Sequence, residues 1–263
     1  MGLEQLTGEV ITIAKNVGAF IREQSKQFDS SRIEYKGLNN LVSYVDKNAE
    51  KEIVKGLSAL LPEAGFVTEE ETVQKKGDRY YWIVDPLDGT TNFIHGLPTY
   101  SVSIALQRDG DLVLGVVYEI NRDECFYAWE GGGAFLNGEK IGVSVNKEFS
   151  QSLIATGFPY YDFSLLEKYI RVFRELTQIC HGVRRVGSAA VDLAYVACGR
   201  YDGYFEYNLN SYDIAAGIVL VKEAGGMATN FSGGAEVFNS REILAANPSL
   251  AEKMKGLISE YFN

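Results

Sequence analysis

The chain has 263 residues, 46% of them hydrophobic, with 35 acidic against 25 basic side chains and a formal net charge of -10 at pH 7. That length and apolar share support a folded core, in one large domain or two modest ones. The acidic excess argues against a general nucleic-acid or anionic-membrane binder, and a phosphorylated ligand would need metal ions to meet it.

Cysteine and histidine usage is equally restrictive. Cys125, Cys180 and Cys198 form no CxxC pair and are odd in number, so reduced, structural thiols are expected. With only His95 and His181, a His/Cys zinc site is hard to assemble. The opening MGLEQLTGEVITIAK has acids near its start and no long apolar run, which suits neither a signal peptide nor a membrane span. A cytoplasmic protein is expected.

Taken in chain order, Leu6, Val10, Ile13, Val17 and Ile21 recur at spacings of three and four and predict a scaffold helix of roughly six turns. A polar stretch, Ser25 to Ser31, follows. Leu41 to Val45 reads as a short strand, and Asp46, as N-cap, opens a second helix carrying Ala49, Ile53, Leu57 and Leu60, which Pro62 ends. Phe66 and Val67 form a short strand running into Glu69, Glu70 and Glu71, an acid run that in isolation reads as a solvated loop.

The stretch YYWIVDPLDGTTNF, Tyr80 to Phe93, organises the rest. Tyr80 to Val84 is aromatic and β-branched, the pattern of a strand buried on both faces. Pro86 has no N–H and holds Asp85 extended, so the strand is expected to stop at Asp85 and the chain to turn. Across that turn Asp85, Asp88 and the Leu87 carbonyl can present oxygens to one point. Two carboxylates so close at the mouth of a core repel each other, and a divalent cation relieves the repulsion. Gly89, Thr90, Thr91 and Asn92 suit the start of a short helix, where free N–H groups attract an anion. A metal and phosphate site is favoured over a plain polar turn.

From Ser101 the pattern becomes hairpins, with turns at Asp109-Gly110, near Asn121 to Asp123, and at Asn137-Gly138, which predicts an antiparallel sheet. Gly131 to Gly133 lacks a following Gly-Lys-Ser/Thr and reads as a hairpin or bulge, not a phosphate loop. After about residue 150 strands alternate with helices: LIATG, a helix from Phe163 to Ile179, VRRVG, a helix from Ala189 to Ala197, YDGYFEY, a helix from Ile214 to Ala224, and short strands near MATN and EILAAN. Alternation of this kind indicates an α/β layer. The expected division is an α+β half, 1–149, with most of the metal ligands, and an α/β half, 150–263, supplying Asp213 and substrate contacts, with a cleft between them.

Carboxylates without His or Cys select hard cations, Mg²⁺ first and Mn²⁺ or Ca²⁺ next. Several together can hold two ions about 3.5–4 Å apart, the arrangement that clamps an in-line phosphoryl displacement. Haloacid-dehalogenase-type phosphatases also carry Asp…Asp-Gly-Thr after a strand, but their aspartates are one residue apart. Asp85 and Asp88 are separated by two residues, one of them proline, which suits joint metal ligation and attack by a metal-bound water over a nucleophilic carboxylate.

WIVDPLDGTTNF, FVTEEE, GGGAFLNGEKI, RRVGSAA and YDIAAGIVLVKEAGG, spread over most of the chain, closely resemble the inositol monophosphatase family of Mg²⁺-dependent, lithium-sensitive sugar-phosphate phosphatases. The resemblance implies a layered αβαβα sandwich, commonly dimeric, with two to three Mg²⁺ ions between its α+β and α/β halves. It places metal ligands at Glu69, Asp85, the Leu87 carbonyl, Asp88 and Asp213, and makes Asp46 more than a cap. It pairs Thr90 with Asp46 in orienting the attacking water, gives Glu69 a catalytic part, and sets Glu70 beside the ligands. Asp88, Gly89 and Thr90 are implied to meet the phosphate, and Glu206, Ser188 and Ala189 the sugar hydroxyls. Asn40 stands where many relatives carry an acid, and the short loop containing Lys36 borders the site. His95 reads as structural, and Arg184 and Arg185 as subunit or interdomain contacts rather than phosphate steers.

The reaction expected is hydrolysis of a small sugar or polyol phosphate monoester, foremost inositol monophosphate. Fructose-1,6-bisphosphate, a nucleotide 3′-phosphate, NADP or histidinol phosphate are the alternative substrates. A non-enzymatic, metal-binding regulatory protein is the alternative of another class.

Overall fold

A computed structural model describes residues 2–28, 33–37, 40–159 and 162–262. The apolar stripe of the first predicted helix forms α1, Leu3–Ser25, which buries Leu6, Val10, Ala14, Val17 and Ile21. A short hairpin, β1 Ile33–Gly37 and β2 Asn40–Ser43, leads into α2, Tyr44–Leu60, which buries Val45, Ala49, Ile53 and Leu57. The two helices pack against each other and cover one face of a seven-stranded sheet. The predicted polar stretch after Ser25 runs beyond residue 28, outside the described residues.

That sheet takes its strands in sequence order: β3 Gly65–Thr68, β4 Tyr80–Asp88, β5 Ser101–Arg108, β6 Asp111–Glu119, β7 Glu124–Trp129, β8 Gly133–Leu136 and β9 Glu139–Ile141. From β4 onward it is the expected antiparallel meander; β3 instead runs parallel to β4. The turns close where positive φ was expected, at Asp109 and Gly110 (53° and 96°) and at Asn137 and Gly138 (48° and 95°).

β4 does not stop at Asp85. It continues to Asp88, with Asp85 opposite Ser103 and Asp88 opposite Ser101, so three residues are spanned against two on β5. This bulge is where a proline without an N–H fits, because the ladder is interrupted there. Its effect is to aim the end of the strand sideways into a cleft.

The second sheet, in the order β11-β10-β12-β14-β13, comprises β10 Leu153–Thr156, β11 Gly182–Arg184, β12 Gly203–Tyr207, β13 Met227–Thr229 and β14 Glu242–Ala246. Its first three strands are mutually parallel, and β14 runs antiparallel to both of its neighbours, β12 and β13. Between the sheets lie α5 Ala189–Ala197 and α6 Ser211–Glu223, apolar nearly all round, in one core with Ile83, Ala105, Val117 and Phe126 of the first sheet and Tyr204 and Ala245 of the second. Gly115 makes this approach close: a β-carbon there would lie 2.5 Å from the Ala216 carbonyl oxygen. The outer face of the second sheet is covered by α4 Leu166–Ile179 and by α8 Pro248–Phe262, a helix the sequence reading omitted. The five layers are helices, sheet, helices, sheet, helices.

Candidate active site

Ser43, not Asp46, is the N-cap of α2: its hydroxyl accepts the Val45 N–H at 3.1 Å. Asp46 is the third residue of the helix, and its Oδ2 accepts from the Ser43 N–H at 2.8 Å and the Ser43 hydroxyl at 2.6 Å. Cap chemistry therefore uses one carboxylate oxygen and leaves the other for the site. Asp46 Oδ1 lies 2.8 Å from the hydroxyl of Thr90, the first residue of α3, Thr90–Ile94. The same hydroxyl is 2.9 Å from the Leu87 carbonyl. Burial pushes the Asp46 carboxyl up against the pull of these donors.

Asp85 and Asp88 are both buried at the end of β4. Asp85 Oδ1 accepts the Leu87 N–H at 3.0 Å, which folds the carboxylate over its own bulge. Asp88 reaches across to the second half, where its Oδ2 accepts the Ser188 hydroxyl at 2.5 Å and the Ala190 N–H at 2.8 Å. It thereby sits on the positive end of α5, for which Ser188 is the N-cap. Ser188 is itself buried and its hydroxyl is committed to Asp88, while Ala189 lines the cleft.

The other acids arrive from three further elements. Glu69 follows β3, Asp213 is the third residue of α6 with its Oδ2 accepting the Asn210 N–H at 2.6 Å, and Glu206 sits on β12 with Tyr204 donating to it. Together with Asp85, Leu87, Asp88, Gly89, Thr90, Ser188 and Ala189 they line one cleft of 240 Å³ between the sheets. Burial first, and then mutual repulsion, raises their carboxyls. Glu69 and Asp85 rise well above the usual range, Asp213 to about 8, Glu206 to about 7, and Asp88 to about 6 against the pull of its donors.

A cluster of oxygens that resists ionisation because it lacks counter-charge has the donor chemistry of a hard-cation site. Among the described residues no three His, Cys, Asp or Glu side chains form a closed set around one point, so a cation here would draw on the Leu87 carbonyl and water as well as carboxylates. The candidate ligands Glu69, just after β3, Asp85 and Asp88 of β4, and Asp213 of α6 fit that description.

Several neighbours were not singled out by sequence. Arg185, expected in a subunit or interdomain contact, is among the described residues the only Lys or Arg lining the cleft between the sheets, 5.7 Å over the Phe158 ring, whereas Arg184 is exposed. Asp192, one turn into α5, is buried with an oxygen that has no hydrogen-bond partner, and burial holds its carboxyl well above the usual range. Asn92 donates to the Thr99 and Val186 carbonyls, both at 2.7 Å, fastening the motif helix to the loop before α5. The Asn-after-Thr-Thr position was legible only as a helix start, since its partner lies 94 residues away. His95 is exposed at the end of α3 and is not among the cleft residues. The three cysteines are free.

Five layers with a carboxylate-lined cleft between two mixed sheets define an αβαβα sandwich of the sugar-phosphatase type. The chain belongs to the inositol monophosphatase family, whose pattern matches residues 2–262. Among its relatives, the inositol-1-monophosphatase of Rhizobium meliloti strain 1021 is 37% identical over 259 residues, covering 98% of this chain and 97% of that protein. The Nus factor SuhB of Escherichia coli strain K12 is 40% identical over 245 residues, covering 93% and 92%. The crystal structure of the extragenic suppressor protein suhB from Bartonella henselae superposes with a TM-score of 0.93 at 38% identity, covering 97% of this chain and 99% of that one. Membership supports a phosphatase of a generally metal-dependent family. It does not fix the substrate, because relatives of similar identity carry different names. No helix among the described residues is long and apolar enough to cross a membrane.

Proposed function

We propose that the protein is a Mg²⁺-dependent phosphomonoesterase acting on a small sugar or polyol phosphate, foremost inositol monophosphate. The observation that carries this reading is the convergence of Glu69, Asp85, Asp88 and Asp213 beside the Asp46–Thr90 pair in one cleft, with their carboxyls raised for want of a counter-charge. Glu69, Asp85, the Leu87 carbonyl, Asp88 and Asp213 would hold two to three ions, with Mn²⁺ as a substitute. Bound there, the ions supply Lewis-acid stabilisation of the phosphoryl oxygens and the departing alkoxide and lower the pKa of water.

The chain's own part is orientation. The Thr90 hydroxyl directs its hydrogen to Asp46, which leaves its oxygen free to accept from a water and turn a lone pair of that water toward phosphorus. Asp88 is held by Ser188 and Ala190 so that the N–H groups of Gly89 and Thr90 face the phosphate. Glu206, backed by Tyr204, and the Ala189 edge receive the sugar hydroxyls. The division into halves at 149/150, drawn from the change of meander to alternation, and the cytoplasmic setting, drawn from the absence of a long apolar run near Met1, belong to the same proposal; the homodimer and lithium inhibition rest on the family resemblance.

The test is release of inorganic phosphate from inositol 1-phosphate with Mg²⁺, with EDTA, and beside a panel of fructose-1,6-bisphosphate, nucleotide 3′-phosphate, NADP and histidinol phosphate. Turnover that survives EDTA would remove the mechanism, and a strong preference within the panel would replace the substrate. The name Nus factor carried by several relatives favours a second reading, a protein that keeps the site but acts through a partner. Measurable Mg²⁺ binding without turnover of any panel member would favour it.

A further inference from the structure

The acidic turn that carries Glu69 is gripped from behind by a side chain that the proposed chemistry does not use. Glu50 lies on α2 one turn after Asp46, so one helix turns two carboxylates to the same side. It is fully buried. Its Oε2 accepts the Glu70 N–H at 2.7 Å, and its Oε1 accepts both the Thr72 N–H and the Thr72 hydroxyl, each at 2.7 Å. Between these two anchored amides Glu71 takes a φ of 51°, a left-handed backbone uncommon for a residue with a long side chain. On the other flank the Glu69 N–H bonds the Val84 carbonyl of β4 at 3.3 Å. The peptides before and after Glu69 are thus fixed independently, one by the sheet and one by Glu50.

We infer that Glu50 is a positioning residue that holds the Glu69 side chain toward Asp85 and thereby sets how tightly the cleft grips divalent cations. The inference rests on the function proposed above. Three donors converging on one buried side chain match a carboxylate, which only accepts. A left-handed turn of non-glycine residues persists only where its surroundings hold it. Glu69 is hydrogen-bonded to Asp85 but also stands near Asp213, Asp46 and Glu70, whose like charge repels it, so a grip on its backbone has a force to oppose. Asp46 and Glu50 divide the work of α2: the first orients Thr90, the second orients the turn that carries Glu69.

Glu50→Gln tests this with little change of shape. The amide keeps one acceptor oxygen for Thr72 but turns an NH₂ toward the Glu70 N–H, setting donor against donor. On the whole purified protein, Mn²⁺ binding is read by the electron paramagnetic resonance of free Mn²⁺, and phosphate release is followed against Mg²⁺ concentration. The expected result is a Mn²⁺ Kd about tenfold weaker, with the half-saturating Mg²⁺ concentration raised alike and kcat recovered at saturating Mg²⁺. Thr72→Val, which removes one of the three bonds and leaves Glu50 in place, is expected to weaken Mn²⁺ about threefold. A residue that only braced the fold would lower the melting temperature and leave the Kd alone, and that outcome in a folded variant overturns the inference. If Glu50→Gln fails to fold, Thr72→Val decides by the same criterion. A wild-type protein that binds no Mn²⁺ would refute the metal-dependent function first, and this inference with it.

Discussion

Gly157 follows β10 and touches the candidate substrate residue Glu206 so closely that a single methyl group tests it. A β-carbon on Gly157 would lie 2.0 Å from both Cδ and Oε2 of Glu206 and 2.1 Å from Oε1. Ordinary contact requires the carboxylate to retreat by more than about 1 Å. Gly157 does not have positive φ, so alanine meets no backbone obstacle, and what it displaces is the end of a side chain. The fold should lose little more than the Tyr204–Glu206 hydrogen bond, about 1–2 kcal/mol, or roughly 2–6 °C in Tm for a chain of this size. Loss of a charge-assisted hydroxyl contact, about 1.5–3 kcal/mol, is worth roughly 10–100-fold in binding. Gly157→Ala should therefore lower kcat/KM on inositol 1-phosphate by roughly 10–100-fold, mainly through KM, since hydroxyl contacts bind ground and transition states alike. Gly142→Ala, whose β-carbon meets only the Ala224 carbonyl at 3.6 Å, is the control and should be silent. A folded Gly157→Ala protein within about twofold of wild type would refute Glu206 as a substrate contact.

Asp88→Asn removes a charge without removing volume and should reduce turnover by more than about 10³-fold with Tm little changed; full activity would take Asp88 out of the reaction. Asn92→Leu leaves the Thr99 and Val186 carbonyls without their donor and should reduce stability by about 2–4 kcal/mol in urea denaturation, and an unchanged midpoint would show that the clamp contributes nothing. In EDTA, the carboxyls of Asp88, Glu206 and Asp213, raised to about 6, 7 and 8, bind protons more tightly folded than unfolded. Their stabilising effect is complete below the unfolded value near 4 and is lost as pH rises through 6 to 8, so Tm should fall from pH 5 to pH 8 and recover at pH 8 on adding Mg²⁺. A flat profile in EDTA would contradict the crowded-carboxylate reading.

Local signals were legible and long-range ones were not. Tyr80 to Val84 declared a buried strand, Ala189 to Ala197 declared α5, and the Asp-Gly and Asn-Gly pairs declared their hairpins because each depends on neighbouring residues alone. Pro86 misled because a bulge tolerates what a regular ladder does not. α8 was readable but unread: Asn247 caps it through the Ser249 and Leu250 N–H groups, Pro248 opens it, and Leu250, Met254 and Ile258 keep helical spacing. Asp192, Asn92 and Glu50 look like ordinary polar positions on helices; the partners of Asn92 and Glu50 come from a distant half and a turn, and the burial of Asp192 comes from tertiary packing. Choosing Glu69 and Asp213 from among many acids took the family resemblance, since spacing cannot say which distant carboxylates meet.

The middle helical layer belongs to the second half of the chain, yet it covers the inner face of the first sheet. During synthesis the ribosome completes that sheet by Ile141, while its cover is finished only at Glu223. For those eighty-odd residues Ile83, Ala105, Val117 and Phe126 have nothing to shield them from other nascent chains. A transcript truncated between the two points would yield a sticky fragment rather than a smaller enzyme.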